Sequence, residues 1–163
     1  YAQRKQLFHN EGRGKPLREI SRVAGAAFQI EEVSRAAAFG DIDNDGAIDI
    51  VVTNNNGPVR LLRNQVGKNR HWITLKLESP KTNRFAIGAR VGVVRHGQNT
   101  LWRRVHTDSS YLSSNDSRVH FGLGDKPDVE AVLVHWPGGL HERFEGIQAD
   151  RIVTLRQGSG KRA

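Results

Sequence analysis

The chain has 163 residues, 37% of them hydrophobic, and a formal net charge of +8 at pH 7. This length is sufficient for one ordinary domain or two small domains with a buried core. The chain has no cysteine, which excludes disulfides and thiol chemistry, and it has no run of about 18 apolar residues that would predict a transmembrane helix. Short apolar runs separated by glycine-rich turns predict an all-β protein.

The first part of the chain, residues 1–66, is predicted to contain two groups of short strands. Segments 6–10 and 17–23 flank the turn sequence EGRGKP and predict a hairpin. Three more strands are predicted further along, at 35–39, 48–53 and 59–64. Their spacing is close to that in a β-propeller, where a blade has about four strands. We therefore expect about one and a half propeller blades here.

The second part, residues 67–157, has longer strands that alternate with period two. In HWITLKLE, residues 71–78, the side chains of Ile73, Leu75 and Leu77 share one face. Similar segments recur at 89–96, 100–107, 118–124, 129–136 and 151–157. This pattern predicts a small antiparallel β-sandwich or barrel. The polar residues 158–163 predict a flexible tail.

The stretch FGDIDNDGAIDI, residues 39–50, has the spacing of a calcium loop. Its carboxylates stand at alternate positions, a glycine follows at the sixth position, and a fourth carboxylate stands at the ninth. Ca²⁺ takes several oxygen ligands from such a tight loop, and glycine permits the sharp turn. The predicted ligands are the side chains of Asp41, Asp43, Asp45 and Asp49 and the carbonyl of Ala47.

Other interpretations of this loop remain open. The helix-loop-helix calcium motif closes with glutamate at position 12, but Val52 stands there within a β-branched run, so the sequence favours a strand-loop-strand site. Mg²⁺ fits less well, because it usually retains several waters. A solvated acidic turn is the alternative without a metal. No general base or nucleophile adjoins the loop, which favours a structural ion over a catalytic one.

Two parts of the sequence resemble known families. AAAFGDIDNDGAIDIVVTNNNGPVRLLRN, residues 36–64, resembles an FG-GAP (VCBS-type) propeller repeat, and LFHNEGRGKPLREIS resembles the closing half of a preceding repeat. Residues 69–157 resemble an ASPIC/UnbV domain, as found in the cartilage acidic protein-like family. This second resemblance lies in NRHWITLKL, NRFAIGARVGV, SSYLSSNDSRVHFGLGD, VEAVLVHWPGG and GIQADRIVTL, which occur in family order.

The resemblance implies a calcium-loaded propeller of many blades, followed by a C-terminal β domain and usually extracellular. It places the metal ligands of the repeat at Asp41, Asp43, Asp45 and Asp49 and assigns no catalytic residues. Arg13 stands where the preceding repeat often has a small or acidic residue, which argues against a second metal site there. We expect the chain to be a piece of a longer protein.

A basic block follows the aspartate loop. Between Arg60 and Arg104 there are eleven Lys or Arg residues and one acid, Glu78. Such a block could attract nucleic acid or acidic glycans, and the candidate contacts are Arg90, Arg95, Arg103 and Arg104. Because the charges are spread over several predicted strands, a solvated basic surface is the alternative. Trp72, Trp102 and Tyr111 could stack on bases or sugars, or could belong to the core.

The other polar clusters favour structural roles. His106, Asp108, Ser109 and Ser110 are close in sequence, but side chains alternate along a strand, so this spacing does not predict a triad. The serines and asparagines of SSYLSSND, residues 109–116, are expected to hydrogen-bond loop backbone, with a binding surface as the alternative. No part of the sequence predicts an enzyme.

The predicted function is therefore a non-enzymatic, calcium-stabilised module for adhesion or ligand binding. We expect it at an extracellular, cell-surface or periplasmic location, with a protein or glycan ligand. The alternative is a polyanion-binding domain that uses residues 60–104, with nucleic acid less favoured than the other ligands. Because an incomplete propeller leaves strand edges unpaired, we also expect self-association.

Overall fold

The computed structural model describes residues 1–12, 14–81 and 83–163. These residues form fifteen strands and two short 3-10 helices, Ala26–Gln29 and Gly67–Asn69. The first seven strands are β1 (Gln3–Arg4), β2 (Phe8–His9), β3 (Arg18–Glu19), β4 (Glu31–Glu32), β5 (Ser34–Gly40), β6 (Asp49–Asn54) and β7 (Arg60–Leu62). The others are β8 (His71–Glu78), β9 (Arg90–Val94), β10 (Leu101–Arg104), β11 (Val119–Gly124), β12 (Ala131–His135), β13 (His141–Glu145), β14 (Arg151–Arg156) and β15 (Lys161–Arg162).

The strands of the first part form small antiparallel sheets. The predicted hairpin is confirmed as β2 paired with β3, although each strand has only two residues. The three predicted strands are confirmed as the sheet β5-β6-β7. The pair β1-β4 was not predicted. Arg13, in the predicted turn between β2 and β3, lies outside the described residues.

Two larger sheets share the main core. The five-stranded sheet has the order β10-β9-β12-β13-β15, and the three-stranded sheet has the order β11-β8-β14. The inward residues of β8 are the predicted Ile73, Leu75 and Leu77, and they belong to one buried cluster with side chains from both sheets. Alternation along each strand directs every second side chain into this core. The all-β prediction is thus confirmed.

One pairing differs from the antiparallel arrangement that we predicted. β14 pairs with β8 in parallel, from Arg151 opposite Ile73 to Arg156 opposite Glu78. A parallel neighbour requires a long crossover connection, and the strands between residues 90 and 145 supply it here. Alternation in the sequence identifies such strands but does not give their relative direction. Neither helix found in the described residues is long and apolar enough to cross a membrane.

The end of the chain is tied to the five-stranded sheet by a buried carboxylate. Glu142 is only 2% exposed, and its two oxygens accept hydrogen bonds from the backbone N–H groups of Gly158 (3.0 Å) and Gly160 (2.9 Å). Strand β15 then pairs with β13. The polar composition of residues 158–163, from which we expected a flexible tail, did not predict this strand. A single internal acid therefore fixes the turn between β14 and β15.

Residues 110–116 lie along the outer edge of β5, on the side away from β6. Ser110 Oγ accepts a hydrogen bond from Ala37 N at 3.2 Å, and Asn115 Oδ1 accepts one from Phe39 N at 3.0 Å. Ser113 Oγ donates to Ala37 O at 3.0 Å, and Asp116 N donates to Phe39 O at 3.1 Å. These side chains satisfy the backbone of another sheet rather than only their own loop. Because residues 110–116 cover the β5 edge of the sheet β5-β6-β7, the edge left for the predicted self-association is that of β7.

We predict that Glu142→Ala lowers the free energy of unfolding by about 2 to 3 kcal/mol, because it removes the buried acceptor of two part-buried hydrogen bonds from Gly158 N and Gly160 N. Urea denaturation would measure the change. Glu145→Ala is the matched control on the same strand, because Glu145 is exposed and forms ion pairs with the side chains of Arg143 and Lys161. Equal losses for the two variants would contradict the structural role of Glu142.

We also predict that the double variant Ser110→Ala, Asn115→Ala uncovers the edge of β5. The amides of Ala37 and Phe39 should exchange with solvent roughly three- to tenfold faster, since each loses one hydrogen bond. Hydrogen exchange followed by NMR would measure this rate. Ser114→Ala is the control, because the Ser114 hydroxyl makes no hydrogen bond to β5. Unchanged exchange in the double variant would show that the segment does not protect this edge.

Candidate functional site

The aspartate loop, residues 41–48, connects β5 to β6. The loop must turn tightly, because β5 ends at Gly40 and its antiparallel partner β6 begins at Asp49, the residue directly opposite Gly40. Asn44 and Gly46 take the left-handed backbone conformation, with φ of 59° and 89°. Asparagine and glycine tolerate this conformation better than other residues. The turn therefore brings the two ends of the loop together.

Three carboxylates meet in this loop. Asp41, Asp43 and Asp49 each place one oxygen within 4.8 Å of the others. Asp41 is 4% exposed and Asp49 is 2% exposed, whereas Asp43 faces solvent. Among the described residues, neither buried carboxylate has an ion-pair partner. A group of three aspartates that could bind a metal ion is thus present.

Backbone N–H groups orient the two buried carboxylates. Asp41 accepts hydrogen bonds from Asp45 N (3.1 Å) and Gly46 N (2.9 Å), one at each oxygen. Asp49 accepts from Asn64 N (2.8 Å) and Ile42 N (3.3 Å), again one at each oxygen. An ionised carboxylate has about four lone-pair sites, so each oxygen retains acceptor capacity. These carboxylates are held in place and can still coordinate a cation.

One of the four predicted aspartates is not among the three carboxylates that meet, and the predicted Ala47 ligand, a backbone carbonyl, stays a prediction. Asp45 is not in the group, and its Oδ1 accepts a hydrogen bond from Ala47 N at 2.9 Å. Ala47 is buried against Gly67. A Cβ added at Gly67 would lie 3.0 Å from the Ala47 Cβ. The structure thus brings together three of the four predicted aspartates. The fourth closes a local turn in the same loop.

Two arginines contact the loop, and sequence analysis identified neither as part of the site. Arg63, on the segment after β7, forms an ion pair with the exposed Asp43. Arg118 donates to Asp41 O at 3.1 Å and to Asn44 Oδ1 at 2.7 Å, and it also pairs with Asp116 at 2.6 Å. Arg118 lies 74 residues after Asn44 and 77 residues after Asp41 in sequence, and no local pattern indicates such a contact. The loop is therefore held by a residue of the second half of the chain.

The loop also packs directly on the three-stranded sheet. The Trp72 indole of β8 covers Gly46 so closely that a Cβ added there would lie 2.0 Å from Nε1. Trp72 in turn stacks on His120 of β11, with ring centroids 6.0 Å apart. Burial lowers the pKa of His120, nearby Arg103 lowers it further, and Asp41 partly opposes them. Gly46 is thus required both by the turn and by the indole.

A small cleft lies beside this contact, between β5 and the three-stranded sheet. Its volume is about 220 Å³, and its lining is mixed in polarity. Phe39, Arg103, Asn115, Arg118 and His120 are among its lining residues. The cleft places arginine and imidazole groups near the aspartate loop.

The four candidate polyanion contacts do not share one face. Arg90 and Arg104 stand directly opposite each other on β9 and β10. Arg103 points to the other side of the sheet, where its guanidinium lies 5.7 Å from the Phe121 ring centroid. Arg95 lies just after β9 and donates to Asn99 O at 2.9 Å. The structure therefore brings only Arg90 and Arg104 side by side.

The residues near His106 form no nucleophile and base pair. His106 Nδ1 lies 2.9 Å from the backbone carbonyl oxygen of Asp108. The Ser109 hydroxyl donates to Asn115 Oδ1 at 3.1 Å, and Ser110 contacts Ala37. These contacts serve the loop and the edge of β5.

The sequence is similar to three curated proteins named cartilage acidic protein 1. The human protein is 28% identical over 118 residues, which are 71% of this chain and 18% of that protein. The proteins of Xenopus tropicalis and Mus musculus are each 26% identical over the same length and shares. The chain thus spans less than a fifth of the length of the curated relatives it matches.

Residues 79–162 match the family described as ASPIC and UnbV. This segment covers just over half of the 163 residues and includes most of the two sheets that share the main core. It includes all four candidate arginines together with Arg118. The chain therefore belongs to the ASPIC and UnbV family.

Proposed function

We propose that this chain is a non-enzymatic, calcium-stabilised extracellular module for adhesion or ligand binding. The observation that supports the calcium part is the pairing of two buried carboxylates, Asp41 and Asp49, with no ion-pair partner among the described residues. A third carboxylate, Asp43, is close enough to contribute another oxygen ligand.

The electrostatics of the loop favour a bound cation. Burial of a charged carboxylate is costly unless it is paired, and two like charges at one site repel each other. Four backbone N–H groups offset part of this cost but carry no net charge. A divalent ion would supply the missing charge. Ca²⁺ fits best, because it accepts oxygen ligands in flexible geometry, whereas Mg²⁺ retains waters.

The ion would act on structure rather than on a reaction. It would hold the end of β5 to the start of β6, because Asp41 and Asp49 flank the two strands. The same loop touches Trp72 and Arg118, so its stabilisation would extend to the three-stranded sheet. We further propose that residues 1–66 are a propeller-repeat region of the FG-GAP type and that 67–157 form the ASPIC/UnbV domain.

The proposed location and partner class rest on the relatives. The name of these relatives refers to cartilage, which supports an extracellular location for this chain. A cell-surface or periplasmic location is the alternative that we propose. The chain covers 18% of the human relative, so any activity of that whole protein is transferred to this chain as a proposal. The His106 imidazole and the Ser109 hydroxyl bind loop groups rather than each other, which supports a role in binding rather than catalysis.

A second candidate function is polyanion binding. The observation that favours it is the direct pairing of Arg90 and Arg104 on adjacent strands. Like charges directly opposite each other destabilise a sheet, so this arrangement requires a compensating gain elsewhere. Arg95 and Arg103 do not contribute to the same face.

We predict that calcium stabilises the protein by about 1.4 to 2.7 kcal/mol at 10 to 100 times its Kd, and that EDTA removes this gain. Asp43→Asn should abolish most of the calcium response and barely change stability in EDTA, since Asp43 is exposed and, among the described residues, its ion-pair partner is Arg63. Thermal unfolding with and without calcium would measure both effects. A wild-type protein with no calcium response would overturn the calcium proposal.

Asp45→Asn is the matched control within the loop. It removes the same charge, but Asp45 lies outside the three carboxylates that meet. We expect its calcium response to be retained. If Asp45→Asn lost as much of the calcium response as Asp43→Asn, Asp45 would also be a calcium ligand, as the sequence predicts.

We also predict that Arg63→Gln tightens calcium binding severalfold, because Arg63 is a cation that competes for Asp43. Isothermal titration calorimetry would measure the affinity. Arg60→Gln is the control, since it removes the same charge from the start of β7, where Arg60 pairs with Glu32 at 2.8 Å and not with the aspartate loop. A solvated acidic turn would show no calcium binding in any of these proteins.

A further inference from the structure

The outer face of the five-stranded sheet carries a row of basic side chains across four strands. The register places Arg104 of β10 opposite Arg90 of β9, Arg90 opposite His135 of β12, and His135 opposite His141 of β13. Alternation turns these four side chains away from the core, because their neighbours Val91 and Val134 point into it. With strands about 4.8 Å apart, the row spans roughly 14 Å. We call it the basic row.

The basic row contains no acid. Arg90 has no ion-pair partner among the described residues, and Arg104 has only a loose contact of 3.6 Å with the exposed Asp108. The rings of His135 and His141 are stacked with centroids 4.1 Å apart. Like charges directly opposite each other destabilise a sheet, which applies here to Arg90 and Arg104. A bound anion would compensate the charges.

An indole holds Arg90 in place. The Arg90 guanidinium lies 5.3 Å from the centroid of the Trp102 ring, and the His135 ring lies 4.9 Å from the same ring. Trp102 lies across Gly92, where an added Cβ would be 2.9 Å from the indole. A guanidinium stacked on an aromatic ring still presents N–H donors in its own plane, which suit carboxylate and sulfate oxygens.

We infer that the basic row is a binding surface for an acidic glycan, with Arg90 and Arg104 contacting its sulfate or carboxylate groups beside Trp102. This inference rests on the proposed ligand-binding function and names the ligand class and the surface. His135 and His141 extend the surface beyond the basic block of residues 60–104. Trp102, which is 39% exposed, offers an apolar surface to a sugar ring.

The face favours a glycan over single-stranded nucleic acid. Proteins that bind single strands stack successive bases on several aromatic rings along a groove. Here Trp102 is the one indole next to the basic row, and the other rings are imidazoles. The row is also long enough to meet several anionic groups of one extended chain, whereas a single small anion would use only part of it.

The test is binding of a heparin-derived oligosaccharide to the full chain at physiological salt, followed by calorimetry. We expect Arg90→Gln and Arg104→Gln each to weaken binding about tenfold, since each removes one charge-assisted contact. Arg103→Gln is the matched control: it removes the same charge from the adjacent position, but on the opposite face of the sheet. Equal weakening by Arg103→Gln and Arg104→Gln would overturn the inference in favour of a diffuse basic surface.

Three further probes decide the ligand class. A hyaluronan oligosaccharide carries only carboxylates, and a desulfated heparin oligosaccharide shows whether sulfate is needed. Binding of either or both supports the inference. A single-stranded DNA oligonucleotide that binds more tightly than every glycan would overturn it. Calcium stabilisation measured on the same samples separates the two proposals, because glycan binding can fail while the calcium response persists.

The imidazole of His135 provides a readout at the surface itself. Its pKa is lowered by burial, and the nearby His141 and Arg90 lower it further. A bound anion favours the protonated ring, so glycan should raise the His135 pKa, and affinity should increase as pH falls through that pKa. NMR titration with and without the heparin oligosaccharide would measure the shift. An unchanged His135 pKa in the complex would place the glycan elsewhere and overturn the inference.

Discussion

Burial of two aspartates at the junction between β5 and β6 is the constraint on which the candidate site depends. Asp41 and Asp49 are almost inaccessible to solvent, and backbone N–H groups fix all four of their oxygens. Hydrogen bonds of this kind orient carboxylates but do not neutralise them. The proposed calcium ion would complete the charge balance, and the exposed Asp43 is where that ion and Arg63 would compete.

The same loop links the two halves of the chain. Trp72 covers Gly46, Arg118 binds the loop backbone at Asp41, and residues 110–116 cover the edge of β5. These contacts connect the β5-β6-β7 sheet to the sheets that share the main core. A change in the aspartate loop would therefore alter the stability of the second half of the chain, because packed side chains and hydrogen bonds join the loop directly to that half.

Strand alternation separates the functions of neighbouring residues in the basic block. Arg103 and Arg104 are adjacent in sequence, yet one lies over Phe121 and the other stands opposite Arg90. Both arginines line the cleft beside the aspartate loop, but only Arg104 stands in the basic row. A count of charges along the sequence cannot make this distinction, since it depends on which face of the sheet each residue occupies.

The sequence by itself determined the all-β class, the approximate positions of most strands, the inward face of β8 and the aspartate loop as the candidate metal site. Local periodicity and turn residues carry that information, because they act within a few residues of one another. Only the tertiary structure decided that β14 runs parallel to β8, that Asp45 stands apart from the other three aspartates, and that His135 joins Arg90. Those outcomes depend on register and packing between segments far apart in the chain, which no local pattern encodes.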